Sequence, residues 1–384
     1  MSVLIPHTPP HFSVNRVRIV DLPGLPIDDA VRGQRAVDLL SSWAVIRYAR
    51  ARALDLELPD AFAQDTRHTR LALPRWIDAS LNSPHPTVRA AAQAIGRRLG
   101  RNLGHLLLAL RRGDPVNRAA RPDWGAQEWA MWAGIRHVWL GGGLMSGQLG
   151  RQIVAHARAV LAELGDGDAL QVTHSSHPAS VTLLGAARYL PHSARHALCM
   201  DFGHTRVKRA VADLADGTLV RLRRYDPLMT GLEWLGQDRA PHPDTGRQVL
   251  EFMAQAIAQT WAACTAGGQA PDRDVMLCVA AYVQGGRLLG NGLYANLSTL
   301  ADDARPLLAR AIAARVPHAP RDLRVHLIHD GTAACAVHAG VSHAAVILAG
   351  TALGIGFPPP ETKGLRPLAD TLAVCQDIYK EKLF

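Results

Sequence analysis

Met200–Asp201–Phe202–Gly203–His204–Thr205–Arg206–Val207–Lys208 decides how the rest of this chain is read. An apolar run, Ala197–Phe202, closes on an acidic residue and a turn, Gly203–His204–Thr205. A second run, Arg206–Asp213, returns, and Asp216–Gly217 turns it into a third, Thr218–Tyr225. Connections this short force neighbouring strands to run antiparallel, so the stretch predicts a three-stranded meander. In the first turn, backbone N–H groups and the Thr205 hydroxyl can face a phosphate, while Asp201 can organise a magnesium ion through water. An ordinary hairpin with a polar turn accounts for the same residues. Lys208 is the only lysine in the first 362 residues.

Outward from this stretch, helical and strand signals alternate. Downstream the pattern predicts a helix Gln248–Cys264, a strand Val275–Val283 with the turn Gly285–Gly286, and a helix near Asp303–Arg315. A strand Leu323–Ile328, a short helix Thr332–Ala339 and a strand Ala344–Leu348 follow. Upstream it predicts an irregular lead-in over residues 1–30, a helix Ala36–Ala53, and a long helix Pro86–Arg112. Ala91, Ile95, Leu99, Leu103, Leu106 and Leu110 form the apolar stripe of that long helix. Next come a strand His137–Leu140, a helix Gln148–Leu164, a strand Leu170–Thr173 and a helix Ala179–Tyr189 ending before Pro191. The class is α/β, with Pro191–His196 as a hinge between lobes.

Three further segments carry chemistry. Gly350–Thr351–Ala352–Leu353–Gly354–Ile355–Gly356 follows an apolar strand, and glycines there let a backbone approach a phosphate closely; a tight turn or bulge uses the same residues. Leu140–Gly141–Gly142–Gly143 opens a helix and can receive a flat ring or a sugar, or can simply let strand and helix pack closely. In Ile328–His329–Asp330–Gly331–Thr332, an Asp stands at the carboxyl end of a strand, where an open α/β sheet places its ligand crevice. A carboxylate there can take a proton from a hydroxyl, or can cap the helix that follows.

Composition narrows the classes. The 384 residues suit two to three domains, and 48% hydrophobic with 20% charged residues excludes disorder, collagen and coiled coil. No apolar stretch is long enough to span a membrane, and Met1–His11 shows no secretory pattern. The formal charge of +9 rests on 38 arginines against four lysines, which reads as compositional bias. Arg97, Arg98 and Arg101 fall on a helix and Arg221, Arg223 and Arg224 on a strand, with no interleaved aromatics to make a nucleic-acid groove. The five cysteines, at 199, 264, 278, 335 and 375, form no CxxC; Cys199, Cys278 and Cys335 read as small core residues in a reducing cytoplasm. His174 and His177 form an HxxH without a third ligand, and Trp124, Trp129, Trp132 and Trp139 read as packing residues.

Together the four segments resemble the phosphate, base and nucleotide elements of the actin/hexokinase-like ATPases, and within them the ROK family of repressors and sugar kinases. Asp201–Lys208 resembles that family's first phosphate motif, His329–Ala336 its catalytic motif, Gly350–Gly356 its second phosphate motif, and Val138–Gly143 its adenosine motif. The order differs, since the elements that usually come late occupy residues 85–190 and the early ones 197–357. The resemblance therefore implies a two-lobed, ribonuclease H-like fold in circularly permuted order. Residues 1–190 with 331–384 would form the nucleotide-side lobe and 191–330 the lobe holding the first phosphate motif and the catalytic Asp.

The resemblance implies an ATP-dependent carbohydrate kinase, with ATP and Mg²⁺ between the lobes. Asp330 would be the base and Asp201 would hold Mg²⁺ through water. Gly203, Thr205, Lys208, Gly350, Thr351 and Gly354 would meet phosphates, Gly141, Gly142 and Gly143 adenosine, and His329, Asn296 and Glu361 a sugar or polyol acceptor. A homodimer is a further family expectation, and no membrane or nucleic-acid partner is expected. His204 replaces a turn glycine, Arg206 a lysine, Ala352 a loop glycine, His329 an Asn and His338 a Glu of the family pattern. The Glu-x-Gly-His segment and the cysteine-rich zinc knuckle are missing, so no zinc site is expected. The altered acceptor residues leave open a non-catalytic nucleotide- or sugar-binding sensor. A DNA-binding regulator would need a helix-turn-helix, and residues 1–85 show one long helix without a partner.

Overall fold

The computed structural model describes residues 12–64, 66–232 and 240–376. The chain divides into two compact units: His11–Ser180 with Ser342–Ile355, and Val181–Val341 with the chain from Gly356 onward.

The first unit is built on a four-stranded sheet in the order Leu353–Gly356, Ala344–Ala349, His137–Gly141, Gln171–His174. The last three strands are mutually parallel. Every residue of Ala344–Ala349 is buried, which is why this strand reads as a continuous apolar run. The helix Pro86–Arg112 forms as the stripe predicts, with Pro86 in its first turn and Gly113, at φ +52°, ending it in the left-handed conformation. It packs on the helix Gln148–Glu163 along Gly96, Gly100 and Gly104, one residue per turn. A Cβ at Gly100 would lie 2.4 Å from the His156 Cβ and 2.7 Å from the Ile153 carbonyl oxygen. The two backbones touch there, and only the missing side chain permits it.

The N-terminal region is more helical than its sequence suggests. The expected single helix Ala36–Ala53 is two, Ala36–Leu40 and Ser42–Arg50, because Ser41 is extended at ψ 171°. A further helix, Arg67–Ser80, opens on a Thr66/Thr69 capping box and continues through Pro74. The lead-in is partly ordered: Arg18–Ile19 pairs antiparallel with Gln34–Arg35. Trp124 and Trp129 meet edge to face at 5.0 Å, and Trp129 and Trp132 are buried, as packing residues should be.

The second unit holds a six-stranded, mixed but mostly parallel sheet. Its order is Arg324–His329, Asp274–Val279, His196–Phe202, Arg206–Ala215, Thr218–Met229, Leu368–Gln376. The meander His196–Met229 is antiparallel as expected, turned by Asp216 and Gly217 at φ +51° and +76°. Its flanking pairs are parallel. Leu198, Met200 and Phe202 face the helices Pro243–Ala266 and Ala304–Ala313. Ala197 and Cys199 face the opposite side, toward Val181–Ala187 and Asp330–Cys335. That second face is lined by Ala and Cys, so the helices approach closely; burial pushes the Cys199 thiol up to about 12, consistent with an inert core residue.

The boundaries of the two compact units fall at 180/181, 341/342 and 355/356. A Cβ at Gly185 would sit 1.7 Å from the Ala333 carbonyl oxygen, so Val181–Ala187 and Asp330–Cys335 stay together on one sheet. Two further differences concern strands. Val275–Val283 breaks after Val279, and Tyr282–Gln284 turns through Gly285–Gly286 to pair with Arg287–Leu289. Leu368–Gln376 is an edge strand with no expected counterpart. Among the described residues no helix is long and apolar enough to cross a membrane.

The glycine seam gives a direct test. Replacing Gly100 by Ala should destabilise the protein by roughly 1–3 kcal/mol through overpacking, outweighing a helix-propensity gain of about 1 kcal/mol. The urea midpoint reads the sign, and a rise would contradict the packing described.

Candidate functional site

Six of the residues singled out in the sequence meet in the second unit. Asp201 stands near the carboxyl end of the central strand His196–Phe202, and Asp330 follows the carboxyl end of Arg324–His329, with the strand Asp274–Val279 between the two. Both carboxylates therefore project from the same end of a parallel array, where the strands stop and helices or turns begin. The hairpin register sets Lys208 directly opposite Asp201, and the Lys208 Nζ donates to Asp201 Oδ2 at 2.8 Å. Asp201 is 4% exposed, so its charge is held by a buried ion pair.

Asp330 has no lysine or arginine partner among the described residues. Its side chain keeps 19% of its surface, and its Oδ1 accepts from the Gly331 N–H at 2.6 Å. Burial, with the Asp201 carboxylate beside it, pushes its pKa up to about 7; the Gly331 hydrogen bond and Lys208 act against that rise. A carboxyl poised at neutral pH can hold or release a proton under ordinary conditions, as a general base requires.

His329 fixes that carboxyl. The Thr332 N–H lies 3.3 Å from His329 Nδ1, which caps the helix Asp330–Cys335 and requires that nitrogen to be an acceptor. The other ring nitrogen, Nε2, lies 3.1 Å from Asp330 Oδ1. Tyr282, from the short hairpin, stacks on the imidazole at 4.4 Å between ring centroids. His329 is 6% exposed and lies between the helix start and Asp330, so its ring can position that carboxyl.

The turn Gly203–Thr205 is braced from behind. The Gly203 carbonyl accepts from the Tyr294 hydroxyl at 2.9 Å and from Thr230 Oγ1 at 3.2 Å, while the Thr205 carbonyl accepts from the Thr230 N–H. His204 avoids positive φ, so the loss of a glycine there costs no backbone strain. Burial also depresses the His204 pKa, favouring a neutral imidazole.

Two expected acceptor residues lie elsewhere. Asn296 is 2% exposed, and its amide accepts from the His242 N–H at 2.7 Å and donates to the Leu293 carbonyl at 2.8 Å. It ties the segment Leu293–Thr299 to the start of helix Pro243–Ala266. Glu361 is solvent-exposed in the loop after Pro358–Pro360.

The glycine loops meet in the first unit. Gly141 ends its strand, and Gly142 takes φ +93° with its N–H on the Pro178 carbonyl. A Cβ on Gly142 would lie 2.4 Å from the Ala349 carbonyl oxygen, whereas one on Gly143 would meet open space. Gly142 is thus required by packing, and Gly143 is the member of the trio with room for a ligand. Gly350 and Thr351 form the turn between Ala344–Ala349 and Leu353–Gly356, and Gly354 lies in the second of these strands. The Gly350 carbonyl accepts from the Ser42 N–H, and the Asn15 amide pairs with both backbone groups of Leu353 at 2.8 Å. The N-terminal segment therefore buttresses the loop.

Sequence reasoning missed Asp78. Its carboxylate accepts from the Leu149 N–H at 2.7 Å and caps the helix Gln148–Glu163 from outside, over Gly147. A capless helix start at Gly147 was the available signal. The His174 ring contacts the Met145 carbonyl at 2.6 Å. Among the described residues no group of three or more His, Cys, Asp or Glu is arranged to hold a metal directly. Comparison with family models, with curated proteins and with solved structures finds no match to this chain.

The raised Asp330 pKa carries a stability consequence. Between about pH 4 and 7 the folded state binds the proton more tightly than the unfolded chain, so stability falls as pH rises through that window and levels off above it. Asp330→Asn, which keeps the neutral form, should stabilise the protein by roughly 2–4 kcal/mol at pH 8 and leave it unchanged near pH 4. Denaturant melts at the two pH values check this; equal effects at both would contradict it.

Proposed function

We propose that this protein is an ATP-dependent phosphotransferase acting on a hydroxyl of a sugar or sugar-like acceptor, with a circularly permuted, actin-like ATPase fold. The observation that carries it is the pair Asp201 and Asp330 at the carboxyl ends of parallel strands, one held by Lys208 and the other left to titrate.

The sheet orders support the permutation. In the large sheet, a first strand (His196–Phe202) has its hairpin partner on one side and two parallel strands, in sequence order, on the other. The small sheet repeats this pattern if Ala344–Ala349 is taken first, Leu353–Gly356 second, and His137–Gly141 and Gln171–His174 after them. The turn Gly350–Ala352 then occupies the position of Gly203–Thr205, which is what two phosphate loops of common design require.

In the proposed reaction Asp330, oriented by His329 and the Gly331 N–H, accepts the proton of the attacking hydroxyl. The hard carboxylate oxygens of Asp201 suit a magnesium ion held through water, which would neutralise phosphate charge. Lys208 and the N–H groups of the two glycine loops add positive potential where the transferring group carries charge. Gly143, with open space above it, is the adenosine-side contact.

The engagement of Asn296 and His329 by protein partners supports the second reading, a nucleotide- or sugar-binding sensor. One assay separates the two. ADP release is measured with Mg²⁺–ATP against a panel of hexoses, amino sugars and polyols. A kinase should show acceptor-dependent turnover that rises through about pH 7 and falls about 10²–10⁴-fold in Asp330→Asn. ATP binding without acceptor-stimulated turnover would instead establish the sensor.

A further inference from the structure

A second cavity lies at the opposite end of the small sheet and does not depend on the kinase reading. It has a volume of about 560 Å³ and gathers residues at the amino ends of the three parallel strands. His137 stands in register with Ala344 on one side and Gln171 on the other. Gly141 ends the same strand four residues further along, about 13 Å away at strand rise. The cavity is therefore distinct from the glycine loops.

Its floor is rigid and electrically balanced. Arg111 pairs with Asp166 at 2.8 Å and donates to the Ile135 and Ala169 carbonyls. The chain above it is tied down by Arg136 N–H to the His343 carbonyl, 2.7 Å, and Gln171 N–H to the Arg136 carbonyl, 2.8 Å. On this base stand the Arg136 guanidinium and the His343 imidazole, both exposed and with no hydrogen-bond or ion-pair partner among the described residues, with Asp168 and Gln171 on the other side of His137. The His137 ring, stacked on Trp139, completes the basic side. His343 holds φ +53°, a left-handed conformation that favours glycine, yet the position carries an imidazole facing the cavity.

The basic wall offers one permanent cation in a planar fork and two nitrogen heterocycles, the donor set that recognises a phosphate. The facing carboxylate and amide suit hydroxyl groups. We propose that this cavity binds a small phosphomonoester of a polyol, its phosphate on Arg136, His137 and His343 and its hydroxyls on Asp168 and Gln171.

Calorimetric titration of the full-length chain with glycerol 3-phosphate and with inorganic phosphate tests this. Arg136→Gln should weaken both at least tenfold, while Arg310→Gln, an exposed arginine on the helix Ala304–Ala313, should leave both unchanged. Asp168→Asn should weaken glycerol 3-phosphate alone. Thermal melts check that the variants, all at exposed positions, remain folded. The proposal is overturned if Arg136→Gln binds as wild type does, or if neither probe binds at millimolar concentration. An Asp168→Asn protein that still prefers glycerol 3-phosphate over inorganic phosphate contradicts the polyol half.

Discussion

Two carboxylates share one end of the large sheet, and one ammonium group pairs with only the first of them; much of the second unit is arranged around that imbalance. Lys208 reaches Asp201 because hairpin register sets the two residues opposite each other, and a one-residue slip would turn the lysine to the other face of the sheet. Burial and the Asp201 carboxylate raise the Asp330 pKa, and the Asp330 carboxylate accepts from the Gly331 N–H with the His329 ring 3.1 Å away. Burying a second carboxylate without a cation of its own opposes stability, and it leaves a proton that can be exchanged near neutrality.

That arrangement depends on small residues elsewhere. Asp330 begins a helix that lies flat on the Ala- and Cys-lined face of the sheet, held there by the contact between Gly185 and Ala333. A larger residue at either place would lift the helix and carry Asp330 away from Asp201. The first unit uses the same device, the seam of Gly96, Gly100 and Gly104, to seat the long helix on Gln148–Glu163. In both cases shape, more than apolar area, fixes where the helix start lies.

Much of the frame was legible because strong periodicity and short turns leave few alternatives. The helix Pro86–Arg112 and the meander from His196 carried such signals, and Asp201, Lys208 and Asp330 were placed by them. What escaped depended on tertiary partners. Ser41 is extended where helical spacing continues, Pro74 sits inside a helix secured by its cap, and Leu368–Gln376 is a strand because Thr218–Met229 offers it an edge. Asn296 and His329 have the right chemistry for a ligand, but burial gives their polar groups to the protein itself, which residue type alone does not reveal.

The most direct test is a titration of the Asp330 carboxyl by NMR on protein labelled with ¹³C at aspartate side chains, in wild type and in Asp201→Asn. The account predicts a midpoint near 7 in wild type and a downward shift when the neighbouring charge is removed. A wild-type midpoint near 4, unmoved by Asp201→Asn, would mean that the two carboxylates do not act as a pair.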